Sequence, residues 1–380
     1  MVTPKRVVHI TTVHHPFDPR IFHKECVSLS KAGHEVILLA PESENETQPK
    51  KTNVSHLPIR RYNSRWKRMF FGTIQAWKKA KKLEADIYHF HDPELLPIGW
   101  LLKKKKNVVI YDIHEDYVTS ILQKDYLPTP VKKLIAKMYK LMEKFFTTHM
   151  QMCLAEKYYK DFYPNGIQIL NYPILSDRFT TEYSERKLNT SKKGKLLYTG
   201  NVSHVRGALL HAKIPTIVDD ICVHFVGKCP KDLAEEMFQV SDNKREQLVI
   251  EGIDQYIEKE VIEDRYFNET WLAGLALFPP TDHYKRKELT KFFEYMGAGI
   301  PIICSDFPVW KDFIDTYKCG LTVDPYNDIE IRQTINYLRE HPQEAIEMGK
   351  NGKEAVENEL NWQSQADKLI NWYSHLTTKQ

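Results

Sequence analysis

Residues 5–40 read KRVVHITTVHHPFDPRIFHKECVSLSKAGHEVILLA. The β-branched run 7–13 predicts a strand, the amphipathic stretch 21–32 a helix, and the apolar run 35–40 a second strand. Two strands joined through a crossover helix pair in parallel. The same alternation continues outward, with strand-like runs at 54–59, 87–91, 108–114, 150–155 and 167–172. Helical patterns at 65–83, 95–104, 131–146 and 156–162 lie between most of them. Val- and Ile-rich strands alternating with amphipathic helices predict a parallel sheet covered by helices on both faces.

Residues 176–194, SDRFTTEYSERKLNTSKKG, are polar and irregular, and the pattern then restarts. Strands are predicted at 195–200, 221–227, 248–252, 274–278, 301–305 and 321–323, with closing helices near 328–340, 343–357 and 362–375. The expectation is an α/β chain of two doubly wound, Rossmann-like domains facing across a cleft. These are 1–175, a linker 176–194, a second domain 195–360, and a C-terminal helix 361–380 crossing back to the first. In such sheets ligands sit beyond the carboxyl ends of the strands, where strand order reverses.

Composition agrees with this. The 380 residues suit two domains, and 42% hydrophobic with 27% charged residues is ordinary for a globular chain. No apolar run approaches the roughly 20 residues that a bilayer core requires. The N-terminus has no hydrophobic core segment and no small-residue cleavage site, so no signal peptide and a cytoplasmic location are expected. Six scattered cysteines (26, 153, 222, 229, 304, 319) without a CxxC pair read as reduced thiols and give no structural zinc site. Charge is uneven. Residues 1–190 carry 31 Lys+Arg against 20 Asp+Glu, leaving 23 against 30 in the remainder. The basic half is expected to face something anionic.

The loops after the predicted strands concentrate chemistry. His14, His15 and Asp18 follow the first, His89-Phe90-His91-Asp92-Pro93-Glu94 the fourth, and Asp112-Ile113-His114-Glu115-Asp116 the fifth. Imidazole and carboxylate suit a transition metal, but no H-E-x-x-H-like spacing occurs, and period-2 alternation alone places His89 and His91 on one sheet face. Polar side chains capping helices are the plain reading; a lining for a hydroxyl-rich or anionic ligand is the one the clustering favours. No metal is expected. The first loop holds no glycine, which disfavours a dinucleotide fingerprint or P-loop there.

In the second half, Thr199-Gly200-Asn201 runs through a turn to Arg206-Gly207, an anion cradle with a guanidinium fork. Residues 288–306, ELTKFFEYMGAGIPIICSD, predict a short helix from Thr290, a glycine stop and a strand. Lys291 and Glu294 lie one turn apart on it, which by itself also describes a simple helix ion pair.

Together, these stretches resemble the retaining GT-B glycosyltransferases of glycosyltransferase family 4. The resemblance spans essentially the whole chain, through the His-Pro-Phe-Asp-Pro-Arg segment, His-Asp-Pro-Glu-Leu-Leu-Pro (91–97), Tyr111-Asp112-Ile113-His114-Glu115, the 199–207 turn and Phe293-Glu294-Tyr295-Met296-Gly297-Ala298-Gly299-Ile300-Pro301-Ile302. It implies that His114 stands beside the donor sugar, that Gly200 and Arg206 meet the diphosphate, and that Gly252 and Ile253 pack on the nucleobase. Glu294 then binds the ribose. His114, Arg206 and Glu294 are the expected catalytic residues, and Asn201, Glu288, Thr290 and Lys291 complete the donor side. His14, His15, Asp18, His91 and Glu115 are expected on the acceptor side. The sequence departs from the family pattern at Arg286, where a carboxylate is frequent, at Asn201, where Arg is common, and in the first loop, which lacks a glycine pair.

The implied reaction moves a sugar from a UDP- or GDP-linked donor to a glycan or lipid-linked acceptor with retention, with no cofactor and in cell-surface polysaccharide biosynthesis. A sugar-nucleotide epimerase, a non-catalytic sugar-binding relative and a metal-dependent hydrolase are the competing readings. Residues 60–71, RRYNSRWKRMFF, interleave aromatics with cations and are a candidate contact for an anionic membrane surface. No nucleic-acid signature accompanies the charge, so no nucleic-acid partner is expected.

Overall fold

In the computed structural model, which describes residues 3–43, 52–122, 128–176, 178–179, 194–282 and 284–378, the chain forms two units. Met1–Asn171 with Trp362–Gln380 make unit 1, and Tyr172–Asn361 make unit 2. Most of the sequence-predicted linker, residues 177 and 180–193, lies outside the described residues.

Unit 1 holds seven parallel strands: β1 (Arg6–Ile10), β2 (Glu35–Pro41), β3 (Val54–Ile59), β4 (Ile87–Phe90), β5 (Val108–Ile113), β6 (Gln151–Leu154) and β7 (Ile167–Gln168). Their order is β3-β2-β1-β4-β5-β6-β7, so it reverses between β1 and β4. Alternate residues feed two cores. One face sends Val8, Ile10, Tyr88, Phe90, Val109 and Tyr111 against the helices Thr73–Leu83 and Leu96–Leu102. The other sends Val7, Val36, Leu38, Ile87 and Ile110 against Ile21, Phe22 and Leu29. The last helix, Trp362–Thr378, closes that second face with Trp362, Ala366, Leu369 and Tyr373, spaced at i, i+4, i+7 and i+11. Trp362 Nε1 also donates to Ser28 Oγ at 2.9 Å.

Three local predictions move for identifiable reasons. The strand expected over 7–13 stops at Ile10, because Thr11 Oγ1 accepts the amides of Val13 and His14 and bends the chain out of the sheet. The helix expected over 21–32 begins at Pro19: Asp18 accepts from the amides of Arg20 and Ile21 at 2.8 and 2.9 Å, and Pro19 fits the first position. Its first turns, Pro19–Cys26, are π-helical before Val27–Lys31. The strand expected over 167–172 shrinks to Ile167–Gln168, since the Leu170 amide donates to Gln365 Oε1 instead of a neighbouring strand.

Unit 2 holds β8 (Gly194–Thr199), β9 (Ile221–Cys229), β10 (Leu248–Ile253), β11 (Ala273–Ala276), β12 (Ile302–Ser305) and β13 (Gly320–Val323). All pairs are parallel. The order β10-β9-β8-β11-β12-β13 is that of a dinucleotide-type sheet, with the reversal between β8 and β11. The helix Thr290–Gly297, which carries Lys291 and Glu294, lies beside this reversal and is backed by the helix Pro342–Asn358. Gly349 makes that contact possible: a Cβ there would stand 2.1 Å from the carbonyl oxygen of Gly299. Gly349→Ala should therefore push the two helices apart, lowering the unfolding free energy by about 1–3 kcal/mol, the usual cost of overpacking. Urea unfolding of the variant measures it.

Candidate active site

At the carboxyl end of β8 in unit 2, the chain turns at Gly200, and a side-chain-free floor extends across three strands. A Cβ on Gly227 would meet the carbonyl oxygen of Gly200 at 2.1 Å, and one on Gly252 would meet that of Gly227 at 2.6 Å. Gly200 and Gly252 are thus linked through a glycine that sequence reasoning passed over. Beyond the floor, Arg206 Nη1 donates to the Asn201 carbonyl and its Nε to the Tyr284 hydroxyl, both at 3.3 Å. These are long bonds, and they leave the half-buried guanidinium ready to exchange partners.

Lys291 is the most unusual group in this unit. It is buried, yet its Nζ has no hydrogen-bond partner among the described residues. The ammonium lies 3.5 Å from the centroid of the Tyr198 ring and 5.1 Å from that of Phe278. Burial pushes its pKa well below the ordinary lysine value and Arg206 pushes the same way, while Glu294 opposes them. Leu289 precedes the helix without capping it by a side chain, so the first turn also presents amides. Two cationic side chains and a helix start therefore converge where the sheet order reverses, an arrangement made for a multivalent anion.

Glu294 lies one turn further along the same helix. Its Oε2 accepts the Tyr266 hydroxyl at 3.0 Å, and that hydroxyl also stands 3.0 Å from Thr199 Oγ1. Burial raises the Glu294 pKa, opposed by Tyr266 and then by Lys291. A cavity of about 130 Å³ opens beside it, lined by Thr199, Gly200, Glu263, Tyr266 and Phe293 among others. Of the other expected donor residues, Thr290 is exposed at the helix start, Glu288 is half-buried on the preceding loop, and Ile253 is exposed at the end of β10.

In unit 1 the loops after β1, β4 and β5 meet around one carboxylate. Asp112 Oδ2 and Oδ1 take a two-pronged contact from Arg20 Nε and Nη2 at 2.9 and 2.8 Å. Asp112 Oδ2 also receives His91 Nδ1 and His114 Nδ1, each at 3.0 Å. Burial alone would raise the Asp112 pKa, but Arg20 and His114 hold it well below the ordinary carboxylate value. Because a carboxylate only accepts, both histidines must carry hydrogen on Nδ1. His91 Nε2 then accepts from His9 Nδ1 at 3.0 Å, and His114 Nε2 meets His14 Nε2 at 3.1 Å. His14 in turn reaches Asp18 and Asp92 at 3.5 and 3.4 Å, and these carboxylates raise its pKa against the effect of burial.

His91, expected on the acceptor side, is instead sealed in the core with both nitrogens engaged, because period-2 alternation turns it inward beside His9 and His89. His89 Nδ1 binds the Tyr373 hydroxyl at 2.7 Å. His9, His89, His91 and Glu25 have ligand atoms within 4.8 Å of one another, the spacing of a metal cage. The rings, however, stack with interplanar angles of 16–37°, so their lone pairs lie side by side, and Arg20 stands 3.1 Å from Glu25. His9 pairs with His91 and His89 with Tyr373, while both Glu25 oxygens and the Nε2 atoms of His9 and His89 have no hydrogen-bond partner among the described residues. Asp18 serves mainly as the cap of the Pro19 helix, and His15 is exposed beside Ser43. Glu115 is exposed at a separate cavity of about 570 Å³, which Tyr117, Tyr139, Tyr163 and the buried Glu143 also line.

Comparison with known proteins places these features in a family. A family model described as Glycosyltransferase Family 4 matches residues 20–156, and one described as Glycosyl transferase-like matches 234–371. The chain is a group 1 glycosyltransferase of the family 4 type. A comparison with the curated proteins finds no match. Among solved structures, sucrose-phosphate synthase from Thermosynechococcus elongatus superposes with a TM-score of 0.71 at 16% identity, covering 99% of this chain and 100% of that one. A glycosyltransferase from Rickettsia africae ESF-5 gives 0.72 at 12%, over 99% and 100%. Anabaena Alr3699/HepE in complex with UDP gives 0.70 at 9%, over 97% and 100%. The two Rossmann-like units of this glycosyltransferase are those of the GT-B fold.

Sequence reasoning missed Tyr266, which holds Glu294 and also meets Thr199, and His211, whose Nε2 accepts the Leu277 amide at 2.8 Å. Burial, then Lys291, lowers the His211 pKa to about 3. In the unfolded chain the same ring takes a proton below about pH 6.5. The unfolded state thus binds the extra proton between those values, and stability falls as pH falls through that window. His211→Gln, which keeps an acceptor for Leu277, should make the fall of unfolding free energy between pH 6 and 4 shallower by about 1.4 kcal/mol per pH unit. Urea unfolding at stepped pH gives that slope.

Proposed function

We propose that this glycosyltransferase moves a sugar from a nucleoside-diphosphate sugar to a hydroxyl of a glycan or lipid-linked acceptor, with retention, in the building of cell-surface polysaccharide. The observation that carries the donor assignment is Lys291, a buried amine without a hydrogen-bond partner among the described residues, set beside Arg206 at the sheet reversal. A charged group held out of water in that way is costly unless an anion arrives. The diphosphate supplies it, and Arg206, Lys291 and the amides of the Thr290 turn carry the negative charge that grows as the glycosidic bond breaks. No metal is needed for that step. Glu294, already set by Tyr266, accepts the ribose hydroxyls, and the 130 Å³ cavity beside it admits a single ring. Gly252 and Ile253 are assigned to the base.

The anomeric bond to the diphosphate breaks as the acceptor oxygen bonds to the same face, and the acceptor proton passes to the departing phosphate oxygen. Asp112 fixes the tautomer of His114, the residue assigned to the donor sugar. On unit 1 the acceptor sugar is assigned to the 570 Å³ cavity, where tyrosines offer ring faces and Glu115 and Asp116 offer acceptors to sugar hydroxyls. UDP is the first nucleotide to test, since the HepE neighbour was solved with UDP and with UDP-glucose. Residues 60–71 also fit a membrane-facing role in part: Trp66, Phe70 and Phe71 are exposed, whereas Arg68 is tied to Glu94 at 3.0 Å.

Arg206→Ala and Glu294→Ala should each lower turnover about 10²-fold, the scale of losing one charge-stabilising contact. Release of nucleoside diphosphate from the donor reads it, and near-normal turnover in both would refute the site. Lys291→Met should raise the melting temperature of the free protein, because it removes an unsatisfied donor, and abolish the upward shift that UDP gives the wild type. A UDP shift of undiminished size in Lys291→Met would remove the lysine from the donor site.

A further inference from the structure

The helix Thr129–Thr147, TPVKKLIAKMYKLMEKFFT, presents three distinct faces. Ala136, Glu143 and Thr147 are buried against unit 1, with Tyr139 and Phe146 half-buried beside them. On the opposite side, Leu134, Met138, Leu141 and Phe145 form an i, i+4, i+7, i+11 stripe and are 60%, 62%, 60% and 64% exposed. A third stripe, Lys133, Lys137, Lys140 and Lys144, runs one residue behind it on the exposed surface. The helix has one acidic residue, Glu143, and it faces inward, where the Tyr139 hydroxyl donates to it at 2.8 Å. Its exposed surface therefore offers apolar side chains and cations and no negative charge.

We propose that this helix lies in the surface of an anionic lipid bilayer. A water-facing helix places its charges outermost, whereas this one places leucine, methionine and phenylalanine there with lysines along one border, the arrangement of an interfacial helix. The border lysines stand at the level of lipid phosphates when the apolar stripe enters the acyl boundary. The apolar surface continues onto the neighbouring helix Leu96–Leu102, whose Trp100 and Leu101 are exposed, and the Trp100 ring centroid is 6.5 Å from that of Phe145. Tryptophan at such an edge suits the headgroup level. Among the described residues no helix is long and apolar enough to cross a membrane, so the contact is one of lying on the bilayer. The inference deepens the lipid-linked half of the function proposed above: the helix that would rest on lipid also carries Glu143 and Tyr139 into the 570 Å³ cavity assigned to the acceptor.

Co-sedimentation of the full chain with vesicles tests this. The wild type should pellet with phosphatidylglycerol–phosphatidylcholine vesicles, bind pure phosphatidylcholine far less, and be weakened by high salt. The variant Leu134→Gln/Met138→Gln/Leu141→Gln/Phe145→Gln keeps good helix formers at exposed positions, and its partition coefficient should fall at least tenfold with the UDP thermal shift unchanged. If that variant does not fold, Lys133→Gln/Lys137→Gln should lower binding to the anionic vesicles alone. Wild-type protein that stays in the supernatant, or variants that bind as well as it does, would overturn the proposal. So would a loss confined to Trp66→Gln/Phe70→Gln/Phe71→Gln, which would place the lipid contact elsewhere, or a dimer that the four-fold variant breaks without changing vesicle binding. Vesicle binding without any UDP shift would support the lipid surface and count only against the donor reading.

Discussion

Unit 1 is organised around the pair formed by Arg20 and Asp112. Both side chains are buried, and taking two charges out of water is expensive unless geometry and further hydrogen bonds compensate. Here they do. The guanidinium grips both carboxylate oxygens, reaches Glu25, and donates to the Ile169 carbonyl at 3.0 Å, while Asp112 accepts from two imidazoles besides. One carboxylate thereby ties the Pro19 helix, the end of β5, the inward-facing His91 and the loop-borne His114 into a single arrangement. Removing either member of such a pair would strand the other charge, which is the costly outcome for buried ions. The orientation of His114 is inherited from this pair rather than set by its own loop.

Polar burial in the two units involves different groups. In unit 1 Arg20, Asp112 and His91 all have partners, and burial holds His9, His89 and His91 below the ordinary imidazole range. Unit 2 keeps Lys291 against aromatic rings, with attraction to the Tyr198 and Phe278 faces offsetting only part of what water would have supplied. Around the Arg20–Asp112 pair, Glu25 and the Nε2 atoms of His9 and His89 also lack hydrogen-bond partners among the described residues, so unsatisfied burial occurs in both units.

Much of the architecture was legible because parallel strands buried on both faces must be written as continuous apolar runs, and every predicted strand has an observed counterpart. What went wrong was local. Thr11 and Gln365 divert backbone amides from the sheet, and neither side-chain choice has a periodic signal. In the site, the 290–297 helix and the turns at 199–207 carry their residues in short windows, so Lys291 and Glu294 could be paired from spacing alone. Tyr266 and Thr199 are 67 residues apart, Arg20 and Asp112 are 92, and nothing short of the fold brings them together. His91 failed for a different reason: a motif next to a loop was taken as part of the loop, while strand parity had already turned it inward.

The helix Trp362–Thr378 follows the whole of unit 2 in the chain yet covers the sheet of unit 1. A ribosome that has released residues 1–171 has exposed the Val7, Val36 and Ile110 face without its lid, and that face stays open until the whole of unit 2 has been synthesised. Nascent chains must therefore carry an uncovered apolar sheet through the synthesis of the 190 residues of unit 2, an interval in which chaperones would find a binding surface. The same geometry makes this seventeen-residue helix a quality gate, because a chain broken off before it can complete unit 2 but never unit 1.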